Sequence, residues 1–222
     1  MKQLVLASKS PRRRELLANL GVSFKVMPSQ AKEADVNEGD PGRLVEKLAR
    51  RKAEAVASTL PKACESLVIG ADTIVVLDGI VLGKPKDHHH ASAMLRSLSG
   101  RWHQVLTGVA ISDPESGQTL STHEITSVKF RSLSAEEIAA YVATKEPLDK
   151  AGGYGIQEKG ALLVERIDGC YFNVVGLPLV KLAELLARFG VNILEEEREA
   201  EREVPPNSER VAAGQSSART VD

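Results

Sequence analysis

Apolar residues along the chain follow two spacings, which predict a mixed α/β protein. Short apolar runs rich in β-branched residues predict a first strand with Val5 and Leu6, then strands at residues 67–77, 105–112, 125–133, 161–167 and 171–175. Apolar residues three or four positions apart predict helices that follow Ser10, Asp40, Asp87, Ser134 and Pro178. Asp78-Gly79 and Asp168-Gly169 are typical of two-residue hairpin turns. Hairpins mixed with helices indicate an α/β fold with a mixed, twisted sheet flanked by helices.

The pattern of strands and helices continues to about Leu194, so we expect a single domain over residues 1–194. From Glu195 the composition changes to Glu, Arg and Ala, followed by Pro205-Pro206 and a polar stretch. Such a segment has too little apolar surface to offset its ordering entropy. We therefore predict a disordered tail over residues 195–222.

Composition narrows the class of protein. The 222 residues carry a net charge of −1, which argues against a general nucleic-acid binder. No apolar run approaches the roughly 20 residues of a membrane span, and no signal peptide is recognisable at the N-terminus. Cys64 and Cys170 form no metal or redox motif and suit a reducing compartment. We expect a cytoplasmic protein that binds neither a membrane nor a nucleic acid stably.

Three consecutive arginines, Arg12 to Arg14, follow Ser10 and Pro11 at the predicted start of the first helix. Ser10 suits the N-cap, and Pro11 suits the first helical position. A helix N-terminus carries roughly half a positive charge and unpaired N–H groups, so cations are unfavourable there unless an anion binds. We therefore expect a phosphate site at this turn, with a solvated basic surface as the alternative.

Asp72 lies inside an apolar run, where an unpaired carboxylate is costly to bury. Because perturbed carboxylates concentrate at active sites, we interpret Asp72 as functional, with a structural salt bridge as the alternative. A two-residue turn at Asp78-Gly79 places Lys84 opposite Thr73, next to Asp72. Strict alternation puts Asp72 and Lys84 on opposite faces of the sheet. A bulge near Gly83, or the reach of the lysine, is needed to bring them into one site.

Two further regions offer candidate residues. Lys52 falls on the apolar stripe of the second helix, where it either extends to water or has a function. Gly152, Gly153 and Gly155 permit the close approach of a ligand, and Gln157 offers a donor and an acceptor suited to the edge of a nucleobase. No P-loop is present, so phosphates must be held by side chains and a helix terminus.

Five short motifs occur along the chain: Ser8-Lys9-Ser10-Pro11-Arg12-Arg13, Gly70-Ala71-Asp72-Thr73, Gly83-Lys84-Pro85, Asp149-Lys150-Ala151-Gly152-Gly153-Tyr154-Gly155-Ile156-Gln157 and Val175-Gly176-Leu177-Pro178-Leu179. Together, and in this order, they resemble the Maf family of nucleoside triphosphate pyrophosphatases over residues 4–189. The resemblance implies two lobes around a central cleft, related to inosine triphosphatase-like enzymes. It also implies metal-dependent hydrolysis of a nucleoside triphosphate to the monophosphate and pyrophosphate.

The resemblance also implies roles for individual residues. Asp72 matches the general base of the family, and Glu33, with Asp72, matches the acids that hold a divalent metal. Mg²⁺ or Mn²⁺ fits these hard oxygen ligands. Thr73 and Gln157 match the dTTP/UTP branch, whereas the 7-methyl-GTP branch differs at both positions. The residues that match substrate-binding positions are Ser8, Arg12, Arg13, Lys52, Thr73, Lys84 and Gln157.

The resemblance implies a biological setting as well: removal of unwanted nucleotides, including modified pyrimidine nucleotides, a link to arrest of cell division, and a homodimer. Three alternatives remain. The protein is a regulator that senses a pyrimidine nucleotide without significant hydrolysis, a pyrophosphatase of the 7-methyl-GTP type, or a phosphatase that releases single phosphates.

Overall fold

The computed structural model describes residues 2–31 and 38–194. In this part of the chain one sheet has the strand order β2-β1-β3-β5-β6-β7, and β4 pairs with β3. Its strands are β1 (Gln3–Leu6), β2 (Phe24–Val26), β3 (Ser66–Leu77), β4 (Ile80–Leu82), β5 (Trp102–Ser112), β6 (Thr119–Phe130) and β7 (Val164–Asp168). The pairs of β1 with β2 and β3 are parallel, and all other pairs are antiparallel. This mixed sheet, flanked by helices, confirms the predicted α/β class.

The helix starts predicted from the sequence are confirmed. Ser10, Asp40, Asp87 and Ser134 each cap a helix by accepting a hydrogen bond from the backbone N–H three residues later. The described helices are α1 (Pro11–Ala18), α2 (Pro41–Ala57), α3 (His88–Leu98), α4 (Ala135–Ala143), α5 (Tyr171–Val175) and α6 (Leu179–Ala187). Shorter 3-10 turns occupy Glu146–Asp149, Ala151–Gly153 and Glu158–Leu163.

Both faces of the sheet are covered. Helix α2 packs on one face through small residues and valines, including Ala49, Ala53, Val56, Val68 and Ala110. Helices α3 and α4 pack on the other face in a larger core that includes Leu95, Leu98, Val105, Phe130 and Ile138. Removing these apolar side chains from water is the main favourable contribution to folding.

Helix α2 lies unusually close to the sheet because two glycines face it. A Cβ atom built on Gly70 would lie 2.3 Å from the carbonyl oxygen of Ala49, and one on Gly108 would lie 2.2 Å from that of Val45. A side chain of any size at either position would push the helix away. The two glycines therefore set the distance between α2 and the middle of β3.

The predicted hairpin at Asp78-Gly79 is confirmed, because Leu77 pairs with Ile80 and Val75 with Leu82. The second predicted hairpin is wrong: β7 ends at Asp168, and residues 171–175 form the helix α5. Here tertiary contacts override β propensity, since Asn173 of this segment is buried against β5 and β6. Two strand bounds also differ, because β6 begins at Thr119 and residues 161–163 belong to a 3-10 turn.

The Cα positions divide the chain into two compact units, residues 1–192 and 193–222. Only residues 193 and 194 of the second unit are described, so the predicted disorder of residues 195–222 lies outside the described residues. Among the described helices, none has the length and apolar content needed to cross a membrane.

Candidate functional site

The edge of β3 is open in its middle. On this side β1 pairs with β3 up to Ile69, and β4 pairs with it from Val75 onward. In the described part of the chain, residues 70–74 therefore lack a neighbouring strand on this edge, and side chains from both faces of β3 reach one cleft there. Asp72 lines the cleft from the face of α2, whereas Thr73 belongs to the opposite face. The predicted conflict between Asp72 and Lys84 is thus resolved without a bulge, since both side chains line this cleft.

The cleft has a volume of about 550 Å³ and is strongly positive. Two described carboxylates, Asp72 and Asp149, line it. The described cations in its lining are Lys9, Arg12, Arg13, Lys52, Lys84 and Lys150. An excess of cations in a concave site raises the local concentration of a polyanion, so the electrostatics suit a triphosphate.

Asp72 pairs with Lys52 across the space between β3 and α2. The Lys52 ammonium donates a hydrogen bond to the Asp72 carboxylate, and both side chains are largely buried, at 15% exposure for Lys52 and 11% for Asp72. The sequence alternatives for Lys52 and Asp72 thus meet in one pair that is also part of the cleft wall. The close approach of α2 at Gly70 and Gly108 brings Lys52 within reach of this carboxylate.

Arg13 makes more contacts with the protein than the sequence suggested. Its guanidinium donates to the carbonyl oxygens of Gly176 at 2.7 Å and Ala71 at 2.9 Å, and to the Thr73 hydroxyl at 2.9 Å. A longer hydrogen bond of 3.4 Å reaches the Ser8 hydroxyl. Arg13 therefore joins the first helix, the open edge of β3 and the turn after α5. Of the three arginines, Arg14 is exposed, and Arg12 lines the cleft with Arg13.

Arg12 faces an acidic group across the cleft. Its Nη1 lies 3.7 Å from an Asp149 oxygen, and Lys150 Nζ donates to the same carboxylate at 2.9 Å. Burial alone would raise the pKa of Asp149, but the Lys150 hydrogen bond and the charges of Lys150 and Arg12 outweigh it, so the pKa lies below its usual value. Because the Asp149 side chain is 64% exposed, we expect this ion pair to be weak.

The structure brings together all but one of the residues that the sequence assigned to the site. Ser8, Lys84 and Gln157 line the cleft along with Asp72 and Thr73. Ser8 is buried, and its hydroxyl accepts a hydrogen bond from the backbone N–H of Ser10 at 3.2 Å, which shapes the turn before α1. The exception is Glu33, which lies outside the described residues.

Asp149 and Lys150 also line the cleft, although sequence reasoning did not assign them to the site. Lys150 is 8% exposed, and its ammonium also donates to the carbonyl oxygen of Glu146 at 2.8 Å. A charged pair directly before three glycines was the available signal. The buried residues Thr107 and Asn173 gave no such signal, because their contacts with the wall of the cleft join residues distant in sequence.

Within residues 2–31 and 38–194, no cluster of three or more His, Cys, Asp or Glu side chains is placed to hold a metal. Mg²⁺ is commonly bound by one or two carboxylates together with substrate phosphates and water, so such a cluster is not required. Asp72, an oxygen ligand in the wall of an otherwise cationic cleft, is compatible with that mode of binding.

A buried aromatic group supports the glycine-rich side of the cleft. Tyr154, which lines the cleft, has its hydroxyl 2.7 Å from Nε2 of His103, and both rings contact Phe130 edge to face. Burial lowers the pKa of His103 from 6.5 to about 4. His103 is therefore neutral at physiological pH and acts as a polar spacer in the core.

The buried histidine predicts a pH-dependent loss of stability. The unfolded chain binds a proton at His103 below about pH 6.5, and the folded chain binds it only near pH 4, so stability falls as the pH decreases through this window. We expect the free energy of unfolding to drop by about 2 kcal/mol from pH 7 to pH 5 through this group. Urea unfolding at the two pH values measures it. His103→Gln, which cannot titrate, should lose this component, and an unchanged pH dependence in that variant would contradict the assignment.

Comparison with known proteins gives one consistent result. A family model described as Maf-like protein matches residues 3–189. A dTTP/UTP pyrophosphatase of Moorella thermoacetica is 56% identical over 193 residues, covering 87% of this chain and 98% of the relative. Proteins of the same name from Acetivibrio thermocellus and Pelotomaculum thermopropionicum are 51% and 52% identical, each over 87% of this chain and over 98% and 100% of the relative.

Solved structures show a more distant likeness. The Ham1 protein of Staphylococcus aureus is 19% identical, with a TM-score of 0.43, over 58% of this chain and 72% of that chain. These values describe a partial overlap of the two folds.

Proposed function

The chain belongs to the Maf family, and we propose on that basis that it hydrolyses dTTP and UTP to the monophosphate and pyrophosphate. The observation that carries the proposal is the open edge of β3, where Asp72 and a surplus of cations line one cleft. The names of relatives about half identical to this chain over most of its length support the same reaction and substrates.

In this proposal the triphosphate lies on the cationic side of the cleft. Arg12, Lys84 and Lys9 line this side, and Lys52 already stands beside Asp72. Guanidinium and ammonium groups held in a concave, partly dry site stabilise the charge that develops on a departing pyrophosphate. No P-loop is needed, since separate side chains supply the positive charge.

Hydrolysis at the α-phosphorus accounts for the products. Water attacks the α-phosphorus, and the new oxygen–phosphorus bond forms as the bond from that phosphorus to the bridging oxygen breaks. Asp72 orients the water and accepts its proton, while pyrophosphate leaves with the electron pair of the broken bond. Lys52 holds the Asp72 carboxylate in position on the wall of the cleft.

A divalent metal is part of the proposal. Asp72 and Glu33 would hold Mg²⁺ or Mn²⁺, which would neutralise phosphate charge and favour departure of pyrophosphate. The family resemblance also leads us to include a homodimer in the cytoplasm that removes canonical and modified pyrimidine nucleotides. Light scattering coupled to size-exclusion chromatography tests the dimer.

The first experiment is a product assay. Purified protein and Mg²⁺ are incubated separately with dTTP, UTP, CTP and 7-methyl-GTP, and the products are resolved by chromatography. Monophosphate and pyrophosphate from dTTP and UTP are the expected result. Release of orthophosphate would indicate a phosphatase, and turnover of 7-methyl-GTP alone would contradict the substrate assignment. Binding without turnover would favour a nucleotide-sensing regulator.

Lys84 provides a test of the cationic side. Lys84→Ala removes one charge from the cleft, so we expect KM for dTTP to rise about tenfold while kcat changes less. Lys86→Ala is the matched control, because Lys86 is an exposed lysine two residues away that does not line the cleft. Equal kinetic effects in the two variants would show that only net charge matters and would remove Lys84 from the site.

A further inference from the structure

A chain of hydrogen bonds leads from the cleft into the core. Arg13 Nη2 donates to the Thr73 hydroxyl at 2.9 Å, and that hydroxyl lies 2.9 Å from the hydroxyl of Thr107, its cross-strand neighbour on β5. The Thr107 hydroxyl in turn lies 2.9 Å from the carbonyl oxygen of Asn173 in α5. Thr107 and Asn173 are fully buried, whereas Thr73 is the one residue of β3 that is only half-buried.

The far end of this chain decides where each proton lies. A carbonyl oxygen can only accept, so the single proton of Thr107 is donated to Asn173. The N–H of Leu177, four residues further along, bonds to Phe172 instead and leaves this carbonyl to Thr107. Thr73 must therefore donate its own proton to Thr107, because Thr107 has no second proton to give.

Asn173 itself is held in place. Its side-chain amide donates to the carbonyl oxygen of Val105 at 2.9 Å and to the hydroxyl of Thr126 at 2.8 Å. The acceptor at the end of the chain is thus fixed by β5 and β6. Rotation of the Thr73 hydroxyl would break its bond to Thr107 in a region without water, so the direction of its proton is fixed too.

Thr73 consequently shows the cleft an acceptor and never a donor. Its proton points inward and one lone pair receives Arg13, so within the described part of the chain the second lone pair is left for the cleft. This side of the cleft is largely apolar, as expected for a surface that covers the faces of a base. The apolar side chains that line it are Val75, Val105, Ile156, Val174 and Val175.

We propose that Thr107 is a positioning residue that fixes Thr73 as an acceptor and thereby selects uracil and thymine over cytosine. Uracil and thymine carry an N3–H donor on the edge that pairs with other bases, whereas N3 of cytosine is an acceptor. An acceptor that cannot reverse its direction accepts N3–H and repels the lone pair of cytosine. This inference rests on the proposed function for its substrates, but it concerns the base and is independent of hydrolysis.

The experiment compares Thr107→Val with Thr107→Ser. Valine has the shape of threonine without the hydroxyl, so Thr73 loses its acceptor, becomes free to rotate and can donate to N3 of cytosine. Serine keeps the hydroxyl and tests whether the chain tolerates a change at this buried position. We expect the ratio of kcat/KM for UTP over CTP to fall at least tenfold in Thr107→Val and to stay within about threefold of the unsubstituted protein in Thr107→Ser.

Binding separates this inference from the proposed function. The same ratio is measured as affinities for the α,β-methylene analogues of UTP and CTP, in which the scissile bond cannot be hydrolysed. Loss of the preference for the uridine analogue in Thr107→Val, restored in Thr107→Ser, supports the inference even if the protein hydrolyses nothing. An unchanged preference in folded Thr107→Val overturns it even if UTP hydrolysis is confirmed, as does an equal loss in both variants.

Discussion

Asp72→Asn is expected to fold normally and to lose at least a hundredfold in turnover of dTTP. Asparagine keeps the size of the side chain and can still contact Lys52, but it cannot accept the proton of the attacking water. Correctly placed general bases contribute about 10²–10⁴-fold to a rate. Steady-state release of pyrophosphate measures the loss, and circular dichroism with urea unfolding checks the fold.

The same variant should bind nucleotide at least as tightly as the unsubstituted protein. A carboxylate beside a polyanion repels it, so removing that charge favours binding even as turnover disappears. Calorimetry with the α,β-methylene analogue of dTTP measures this. Asp149→Asn is the matched control, since it removes a carboxylate from the same cleft at an exposed position, and we expect its turnover to change only a few-fold. Near-normal turnover in Asp72→Asn would rule out this residue as the base.

Gly108→Ala is expected to combine a large loss of stability with a loss of activity. The new Cβ would lie 2.2 Å from the carbonyl oxygen and 2.3 Å from the carbonyl carbon of Val45, and 2.7 Å from the backbone nitrogen of Glu46. These are backbone atoms of α2, so the whole helix must move by roughly 1 Å to restore normal contact. Overpacking of this kind costs about 3 kcal/mol.

Activity should fall because Lys52 moves with the helix. Gly108 pairs with Asp72 across β3 and β5, so the displaced helix is the one that carries the partner of Asp72. Urea unfolding and kcat, measured at a temperature at which the variant is folded, give the two effects. Gly39→Ala is the control, because a Cβ atom at that position would have no described atom within 4 Å, and we expect a change below about 0.5 kcal/mol. Similar stabilities of the two variants would contradict the close-packing interpretation.

Features encoded locally were predicted well. The helix starts at Ser10, Asp40 and Ser134 were correct because a capping side chain bonds a backbone N–H only three residues away. The pairing of Val75 with Leu82 followed from Asp78-Gly79, since a two-residue turn fixes the register of its own strands. Neither feature needs information from distant parts of the chain.

Prediction failed where distant contacts decide. Residues 171–175 are apolar and β-branched enough to suggest a strand, yet they form α5 because Asn173 is bonded to Val105 and Thr126. Propensity is a weak preference over five residues, and burial of a hydrogen-bonded side chain outweighs it. The predicted turn at Asp168-Gly169 failed for the same reason.

The sequence alone determined which chemical groups are available: the cations of the first helix, the aspartate in an apolar strand and the glycine-rich segment that ends at Gln157. It could do so because residue type and local spacing limit the chemistry. Only the tertiary structure decided how these groups meet. The ends of β1 and β4 leave β3 open, so Asp72 and Thr73 reach one cleft from opposite faces. The Lys52 contact and the direction of the Thr73 hydroxyl depend on Gly108, Thr107 and Asn173, because packing and hydrogen bonding join residues that are far apart in the chain.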